Sequence, residues 1–360
     1  MTALTLLVGL ILLILGGDLL VRGASRLAAA FGIPALIIGL TVVAFGTSSP
    51  ELAVSVQAAM SDQADIAVGN VVGSNIFNVL FILGLSALIV PLAVSSQLIR
   101  FDVPLMIGVS CAALVMALDG AIGRLDGMIL LAGLIVWILL LARLGRKEAA
   151  ATRAAGGGQA STVPVGENGR SRHVVNVVLI LVGLVLLVLG SRWFVDGAVT
   201  FARWLGVTEL VIGLTVIAAG TSLPEVVTSI LASLRGERDI AVGNVVGSNL
   251  FNILGVLGLS SVVAPDGLVV AASALWFDFP IMIAVAVACL PIFFTGARIE
   301  RWEGGLFFAF YCAWTGWLVL AATGHAALSP FNAAMALFVL PLTAITLLML
   351  AVRARRGSPS

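Results

Sequence analysis

Two glutamates inside long apolar runs are the residues of this 360-residue chain best suited to chemistry. Glu51 ends the segment Gly-Thr-Ser-Ser-Pro-Glu, and Glu225 ends the segment Gly-Thr-Ser-Leu-Pro-Glu. By the boundaries of the apolar runs, the other carboxylates of the sequence lie near run ends or in the connections. An ionisable group deep inside such a run is costly and usually serves a function. We therefore expect these two carboxylates to bind a cation.

The residues before each glutamate extend its set of oxygen donors. Thr47 and Ser48 precede Glu51 by four and three positions, so on a helix the hydroxyls and the carboxylate share one face. Pro50 cannot donate a hydrogen bond to the carbonyl of Gly46, which strains that turn. Carbonyl oxygens freed there must face protein or a bound cation. The second copy repeats the arrangement with Gly220, Thr221, Ser222, Pro224 and Glu225.

A second pair of segments supplies a polar stripe. Asn70, Ser74 and Asn78 are spaced four residues apart, which places them on one face of a helix. Side-chain amides and hydroxyls also bond across helices, and this structural role is the alternative for the first Asn of each stripe. If the helices that carry the glutamates cross these stripes, the later Ser and Asn residues line a shared site. The equivalent residues of the second copy are Asn244, Ser248 and Asn252.

The donors collected in this way are carboxylates, hydroxyls, amide oxygens and backbone carbonyls, without sulfur or imidazole. Hard oxygen donors of this kind favour Na⁺ or Ca²⁺ over Zn²⁺ or copper. Two carboxylates can be neutralised by one Ca²⁺ or by more than one Na⁺. The sequence has no Walker A segment to couple ATP hydrolysis, so another gradient must drive any movement. No resident cofactor is expected, because the bound cations would be the cargo.

The composition defines the class of protein that holds these residues. The chain is 61% hydrophobic and 10% charged, with a mean hydropathy of +1.17. A soluble domain is roughly a quarter charged, so we expect a polytopic membrane protein in contact with the lipid bilayer. The net charge of +1 excludes a nucleic-acid partner, because no basic stripe is present to neutralise phosphates. An enzyme is not expected either, since Ser48 has no base near it in sequence except Glu51.

Eleven apolar runs are long enough to predict membrane-spanning helices. The strands of an outer-membrane barrel would alternate apolar and polar residues, and these runs do not. The predicted fold class is therefore all-α. The predicted spans are residues 3–21, 34–60, 66–90, 103–118, 127–143, 174–192, 208–234, 240–264, 277–295, 304–322 and 331–352.

One unit of the chain occurs twice. Residues 36–86 align without a gap with residues 210–260, and 32 of the 51 positions are identical. Weaker matches extend the repeat to five helices and leave the eleventh helix outside it. Because five is odd, the second copy must enter the bilayer the opposite way. This predicts two inverted-topology repeats with a binding site near the midplane.

The repeat divides the chain into four parts. The first five-helix repeat covers residues 1–144, and the second covers residues 173–322. Between them, residues 145–172 combine Gly, Ser and Ala with scattered charge, which predicts a flexible basic cytoplasmic loop. Residues 323–360 are predicted to form an additional transmembrane helix and a cytoplasmic tail.

The distribution of positive charge predicts the orientation of the chain. With the N-terminus outside, every Lys and Arg falls on the cytoplasmic side except Arg124, Arg192 and Arg203. Cytoplasmic loops are the ones that carry an excess of positive charge. We therefore expect a multi-pass protein of the cell membrane (an inner or plasma membrane) with its N-terminus outside and its C-terminus in the cytoplasm.

At the repeated segments the sequence resembles the calcium/cation antiporter superfamily, and most closely the sodium/calcium exchanger branch of bacteria and archaea. GLTVVAFGTSSPE at 39–51 and DIAVGNVVGSNIFN at 65–78, with their counterparts at 213–225 and 239–252, are similar to that family's paired alpha repeats. The resemblance covers residues 1–322. It implies a secondary active antiporter that exchanges Ca²⁺ for Na⁺ by alternating access, at four ion sites around two glutamates.

Carried over to this chain, the resemblance implies a role for each matching residue. The central Ca²⁺ ligands would be Glu51 and Glu225. Backbone oxygens would come from Thr47 and Thr221 for Ca²⁺, and from Ala44 and Ala218. The Na⁺ sites would include Ser48, Ser222, Ser74 and Ser248. The central site would be lined by Asn78 and Asn252. Some prokaryotic members have Asp at the last of these positions, so this chain carries one carboxylate fewer there.

Two alternative functions stay open on the residues themselves. A Ca²⁺/H⁺ exchanger or a K⁺-assisted Na⁺/Ca²⁺ exchanger is the nearer one, because a glutamate that binds Ca²⁺ can also bind a proton. A cation channel is the more distant one. It would need a continuous pore, usually with a filter built by oligomerisation, and a pseudo-symmetric site within one chain argues against it.

Overall fold

The structure, a computed structural model, describes residues 2–154, 168–212, 215–216, 218–294 and 296–357. The first half contains α1 (Thr2–Phe31), α2 (Ala35–Thr47), α3 (Ser49–Met60), α4 (Ala64–Ile89), α5 (Leu98–Asp119) and α6 (Arg124–Ala154). The second half contains α7 (Asn168–Trp204), α8 (Glu209–Ile212), α9 (Ala218–Gly220), α10 (Leu223–Leu234), α11 (Arg238–Val263), α12 (Ala274–Phe294) and α13 (Arg301–Ala322). The last helix, α14, begins at Leu328 and continues to Gly357.

These helices confirm an all-α polytopic membrane protein. Within the described ranges, nine helices are long and apolar enough to cross a membrane. The pair α2 and α3 forms a tenth span, bent by 46° between its two pieces. The remaining predicted span, residues 208–234, corresponds to α8, α9 and α10. Residues 213, 214 and 217 of that span lie outside the described residues.

Several helices are longer than the apolar runs predicted. The first helix ends at Phe31 rather than at residue 21. The last helix of the first repeat continues to Ala154, and α7 begins at Asn168. The prediction of a loop over all of residues 145–172 is therefore wrong at both ends, and residues 155–167 lie outside the described residues. Charged residues such as Lys and Arg are good helix formers, so a helix does not have to end where its apolar run ends.

Contacts between the two halves come in pairs related by exchange of the repeats. A Cβ on Gly304 of α13 would lie 2.7 Å from the carbonyl oxygen of Gly84 on α4. A Cβ on Gly127 of α6 would lie 2.6 Å from the carbonyl oxygen of Gly258 on α11. The last helix of each repeat therefore packs closely on the third transmembrane span of the other repeat. This reciprocity is what two inverted repeats require.

Four short strands show the same exchange. β1 (Leu92–Ala93) pairs antiparallel with β4 (Arg298–Ile299). β2 (Ala121–Ile122) pairs antiparallel with β3 (Leu268–Val269). Each pair joins one connection of the first repeat to one connection of the second, so the halves are interlocked at their loops as well as along their helices.

The first helices of the two repeats, α1 and α7, lie against each other in opposite directions. A Cβ on Gly16 would lie 2.8 Å from the carbonyl oxygen of Gly183, and a Cβ on Gly190 would lie 2.9 Å from that of Gly9. Residue numbers rise along one helix as they fall along the other, which makes the pair antiparallel. Only glycine permits this approach of the two backbones.

The helix α14 is an addition to the two repeats. None of the described side chains of α14 is buried. One polar contact anchors it, because Nε1 of Trp317 on α13 donates to Oδ1 of Asn332 at 2.9 Å. The apolar side chains described in α14 are therefore accessible to lipid, as expected for an extra C-terminal transmembrane helix.

Candidate ion-binding site

Each glutamate is positioned by a break in its helix. Ser48 interrupts the span with φ −82° and ψ 8°, and Pro50 occupies the first turn of α3. A proline is tolerated there because its missing N–H has no partner in a first helical turn. The second repeat has the same device. Ser222 has φ −89° and ψ 7°, and Pro224 occupies the first turn of α10.

The break frees a backbone carbonyl that the protein itself can satisfy. Pro224 has no N–H to donate to the carbonyl of Gly220. The hydroxyl of Ser191 on α7 donates to that carbonyl oxygen at 2.6 Å. The expectation that freed carbonyl oxygens face protein or a cation is confirmed at this position.

The two breaks meet in the interior of the protein, where the repeats exchange hydrogen bonds. Glu51 is 0% exposed and Glu225 is 1% exposed. Ser48 Oγ donates to Oε1 of Glu225 at 2.9 Å, and Ser222 Oγ donates to Oε1 of Glu51 at 2.7 Å. Each carboxylate is therefore held by the serine of the opposite repeat, and neither half contains a complete site.

Further hydroxyls and amides join this cluster from α4 and α11. Ser222 Oγ also lies 3.3 Å from Ser74 Oγ. Thr47 Oγ1 donates to Oδ1 of Asn244 at 3.1 Å, and Thr221 Oγ1 donates to Oδ1 of Asn70 at 3.4 Å. The two threonines therefore tie each helix break to the polar stripe of the opposite repeat.

Asn70 and Asn244 have the structural role that the sequence left as an alternative. Asn70 Nδ2 donates to Ser55 Oγ at 2.9 Å and to the backbone carbonyl of Glu51 at 3.2 Å. Asn244 Nδ2 donates to Ser229 Oγ at 3.0 Å. Because both ends of each amide are bonded to protein, these two side chains fix the helices that carry the glutamates.

Asn78 and Asn252 each begin a segment of π-helix, at Asn78–Leu83 and Asn252–Leu257. The first of these segments packs against α10 and the second against α3, the helices that carry the glutamates. Wide turns of this kind are frequent at functional sites. Both amides are almost completely buried.

Several oxygen atoms of this cluster are buried without a hydrogen-bond partner. Burying an unpaired acceptor, and above all an unpaired carboxylate oxygen, is costly unless a cation or a donor satisfies it. The ion pairs of Asp18 with Arg22 and Arg235, and of Arg298 with Glu300, involve neither glutamate. These oxygens therefore fit a cation. The unpartnered atoms are Oε2 of Glu51, Oε2 of Glu225, Oδ1 of Asn78, Oδ1 of Asn252 and Oγ of Ser248.

The remaining residues implied by the resemblance lie beside the breaks. Ala44 is fully buried, and its carbonyl accepts the N–H of Ser48 at 3.0 Å. The hydroxyl of Thr47 lies 3.4 Å from the same carbonyl oxygen, so both lone pairs of that oxygen have a donor nearby in the protein. Ala218 is the first residue of α9, and its side chain lies outside the described residues.

Two further carboxylates, Asp102 and Glu303, are also buried. Asp102 on α5 is 0% exposed and accepts hydrogen bonds from Gln97 Nε2 at 3.1 Å and Trp137 Nε1 at 3.4 Å. Asp102 lies near the start of α5, which agrees with its position near the start of an apolar run. Its burial is the feature that the sequence did not show.

Two more residues were missed although both repeats carry them. Asn75 and Asn249 lie on α4 and α11, next to the serines of the polar stripes, and both are buried. Each bonds to the other across the contact between the repeats. The signal that could have found them is their identity in the two copies of the segment Gly-Ser-Asn-x-Phe-Asn.

Known proteins share this sequence pattern and this fold. The family model described as "Sodium/calcium exchanger protein" matches residues 1–143 and 175–320. The fold and this match define a membrane cation antiporter. With matches over most of both repeats, the chain belongs to the sodium/calcium exchanger family.

Two relatives and one solved structure show the extent of the likeness. The inner membrane protein YrbG of Escherichia coli is 42% identical over 285 residues, which cover 78% of this chain and 85% of that protein. The sodium/calcium exchanger MaX1 of Methanosarcina acetivorans is 34% identical over 345 residues, covering 86% and 96%. The sodium-calcium exchanger NCX_Mj, soaked with 10 mM Na⁺ and zero Ca²⁺, has a TM-score of 0.73 at 31% identity, covering 86% and 96%.

Proposed function

We propose that this protein exchanges Ca²⁺ for Na⁺ at one site shared by its two repeats. The observation that carries the proposal is the reciprocal bonding of Ser48 with Glu225 and of Ser222 with Glu51. These two hydrogen bonds leave the second oxygen of each buried carboxylate without a partner. Two carboxylates that face one small region repel each other unless a cation lies between them.

Ca²⁺ binds at the centre of the cluster in this proposal. Its ligands are Glu51 and Glu225, with backbone oxygens of Thr47 and Thr221. The unpartnered amide oxygens of Asn78 and Asn252 line the same centre. Ca²⁺ takes six to eight oxygen ligands in flexible geometry, which a set of carboxylate, carbonyl and amide oxygens can supply.

Na⁺ binds at the edges of the same cluster. The family resemblance assigns these sites to hydroxyls, and we place the two alanine carbonyls that it implies at the same sites. Because the carboxylates are shared, Na⁺ at the edges and Ca²⁺ at the centre compete for the same negative charge. This competition is what couples the two fluxes. The Na⁺ ligands in this proposal are Ser48, Ser222, Ser74, Ser248, Ala44 and Ala218.

Alternating access follows from the inverted repeats. Each repeat contributes one bent or broken helix to the site, and the two repeats enter the bilayer in opposite directions. A conformation in which the first repeat is open to one side has a counterpart with the second repeat open to the other side. One site can therefore face either side without a continuous pore. By its charge distribution, the protein lies in the cell membrane with the N-terminus outside.

Ca²⁺ flux in proteoliposomes under separate ion gradients tests this function. Purified protein is reconstituted with Na⁺ inside, and Ca²⁺ uptake is measured after dilution into Na⁺-free medium. Parallel samples carry a K⁺ gradient or a pH gradient, and equal Na⁺ on both sides is the control. We expect uptake with the Na⁺ gradient alone. Uptake that follows the pH gradient, or that needs K⁺ in addition, would replace this proposal with one of the two alternative exchangers.

A further inference from the structure

Asn75 and Asn249 form a reciprocal contact where the two repeats meet. Asn75 Nδ2 donates to the backbone carbonyl of Asn249 at 3.3 Å, and Asn249 Nδ2 donates to the backbone carbonyl of Asn75 at 3.3 Å. The two residues are equivalent in the repeat alignment, so the pseudo-two-fold axis passes between them. We call this pair the axial clamp.

The clamp residues are not free to bind an ion. The second proton of Asn75 Nδ2 points to Met282 Sδ at 3.5 Å, and that of Asn249 Nδ2 points to Met106 Sδ at 3.5 Å. Each side-chain oxygen also accepts a hydrogen bond. With two donors and one acceptor engaged, an Asn side chain has little capacity left for another partner.

The side-chain oxygens of the clamp accept hydrogen bonds from the two amides of the proposed ion site. Asn252 Nδ2 donates to Oδ1 of Asn75 at 3.1 Å, and Asn78 Nδ2 donates to Oδ1 of Asn249 at 3.0 Å. The opposite ends of the same two amides, Oδ1 of Asn252 and Oδ1 of Asn78, are buried without a partner. In each amide, therefore, the nitrogen faces the clamp and the oxygen is left available.

We infer that Asn75 and Asn249 are positioning residues that select which end of each site amide meets the cation. This inference rests on the proposed function. An Asn amide has an oxygen that attracts a cation and an NH₂ group that repels it, and the two ends have nearly the same shape. Packing alone cannot select one orientation of the amide, but a fixed hydrogen-bond acceptor beside one end can. The clamp acts crosswise, since Asn75 orients Asn252 and Asn249 orients Asn78.

Ca²⁺ binding to purified protein tests this crosswise pattern through double-mutant cycles. Asn75→Ala and Asn249→Ala should each weaken Ca²⁺ binding about tenfold, the size of one hydrogen bond that orients a ligand. Asn75→Ala should add little in an Asn252→Ala background but should keep its full effect in an Asn78→Ala background. The reverse holds for Asn249→Ala.

A matched control separates positioning from packing. Ser86 is buried on the same helix as Asn75 and has no hydrogen-bond partner, so Ser86→Ala should leave Ca²⁺ binding unchanged. If an alanine variant does not fold, Asn75→Ser and Asn249→Ser take its place in the cycles. A purely structural clamp would lower thermal stability without selective pairing.

Three results would overturn the positioning role. These are unchanged Ca²⁺ binding in Asn75→Ala and Asn249→Ala, equal coupling of each clamp residue to both site amides, and failure of all the clamp variants to fold. Failure of the proposed function has a different signature. In that case Glu51→Gln and Glu225→Gln would themselves keep Ca²⁺ binding, whatever the clamp variants do.

Discussion

The hydroxyl of Ser48 in the first repeat donates to the carboxylate of Glu225 in the second at 2.9 Å. The converse bond joins Ser222 to Glu51 at 2.7 Å. Because each carboxylate depends on a hydroxyl from the other repeat, a change in either repeat alters both. The site is a property of the contact between the repeats and not of either repeat alone.

Loss of either hydroxyl should affect Na⁺ more than Ca²⁺. Ser48→Ala and Ser222→Ala remove a proposed Na⁺ ligand and a hydrogen bond to a carboxylate, a bond of about 1.5–3 kcal/mol. We expect the apparent Na⁺ affinity to fall about tenfold or more. Ca²⁺ binding should fall less, because both carboxylates remain. Ca²⁺ uptake at varied internal Na⁺ and Ca²⁺ binding to purified protein measure the two effects.

The neighbouring Ser49 provides the control for these variants. Its hydroxyl donates to the backbone carbonyl of Phe45 at 2.9 Å rather than to a carboxylate. Ser49→Ala should therefore leave both ion dependences near those of the unchanged protein. Equal losses for Na⁺ and Ca²⁺ in Ser48→Ala and Ser222→Ala would show that these serines shape the fold and do not bind Na⁺.

The orientation predicted from charge can be tested across a single helix. Ser61 and Ser96 are both exposed and lie at opposite ends of α4. In a background without Cys111, Cys289 and Cys312, Ser61→Cys should react with an impermeant thiol reagent applied to intact cells. Ser96→Cys should react only after the membrane is opened. The opposite labelling would place the N-terminus in the cytoplasm.

Close packing of α1 on α7 should make that contact sensitive to one added methyl group. A Cβ on Gly16 would lie 2.8 Å from the carbonyl oxygen of Gly183. We expect Gly16→Ala to lower stability by about 1–3 kcal/mol, because overpacking forces the backbones apart. Thermal unfolding in detergent measures the loss.

The control for this variant is another helical glycine. Nothing lies within 4 Å of a Cβ built on Gly108, which is exposed on α5. Gly108→Ala should be neutral or slightly stabilising, since alanine is the better helix former. A melting temperature for Gly16→Ala equal to that for Gly108→Ala would contradict close packing between α1 and α7.

Much of the fold could be predicted from the sequence because the repeat and the odd number of helices restrict the topology. The long apolar runs gave the spans, and the position of Pro50 predicted the strained turn that the structure shows as a 46° bend. Helix ends were less predictable. The first repeat's last helix continues to Ala154 because polar residues with good helix propensity follow the apolar run.

The residue types of the site could be predicted from the sequence, but the hydrogen bonds between these residues could not. Glu51 and Glu225 stood out because a carboxylate in an apolar run is rare. No spacing rule could show that Ser48 bonds to Glu225 rather than to Glu51, because that bond crosses between the repeats. Asn75 was missed for the same reason, since its partners are all on the other repeat.

The central claim is that Glu51 and Glu225 together bind Ca²⁺. Glu51→Gln and Glu225→Gln each keep the shape of the side chain and remove one of the two negative charges that offset Ca²⁺. A buried uncompensated charge costs several kcal/mol, and a cost of about 4 kcal/mol weakens binding about a thousandfold. Asp102→Asn is the matched control, because Asp102 is an equally buried carboxylate held by Gln97 and Trp137.

The most direct test is Ca²⁺ binding to purified protein at rising Na⁺ concentration, compared across these three variants and the unchanged protein. We predict that Na⁺ displaces Ca²⁺ from the unchanged protein and from Asp102→Asn. We also predict that Glu51→Gln and Glu225→Gln remain folded and bind no measurable Ca²⁺ at the same concentrations. Near-normal Ca²⁺ binding by either glutamine variant, or Ca²⁺ binding that saturating Na⁺ leaves unchanged, would contradict a shared two-glutamate site.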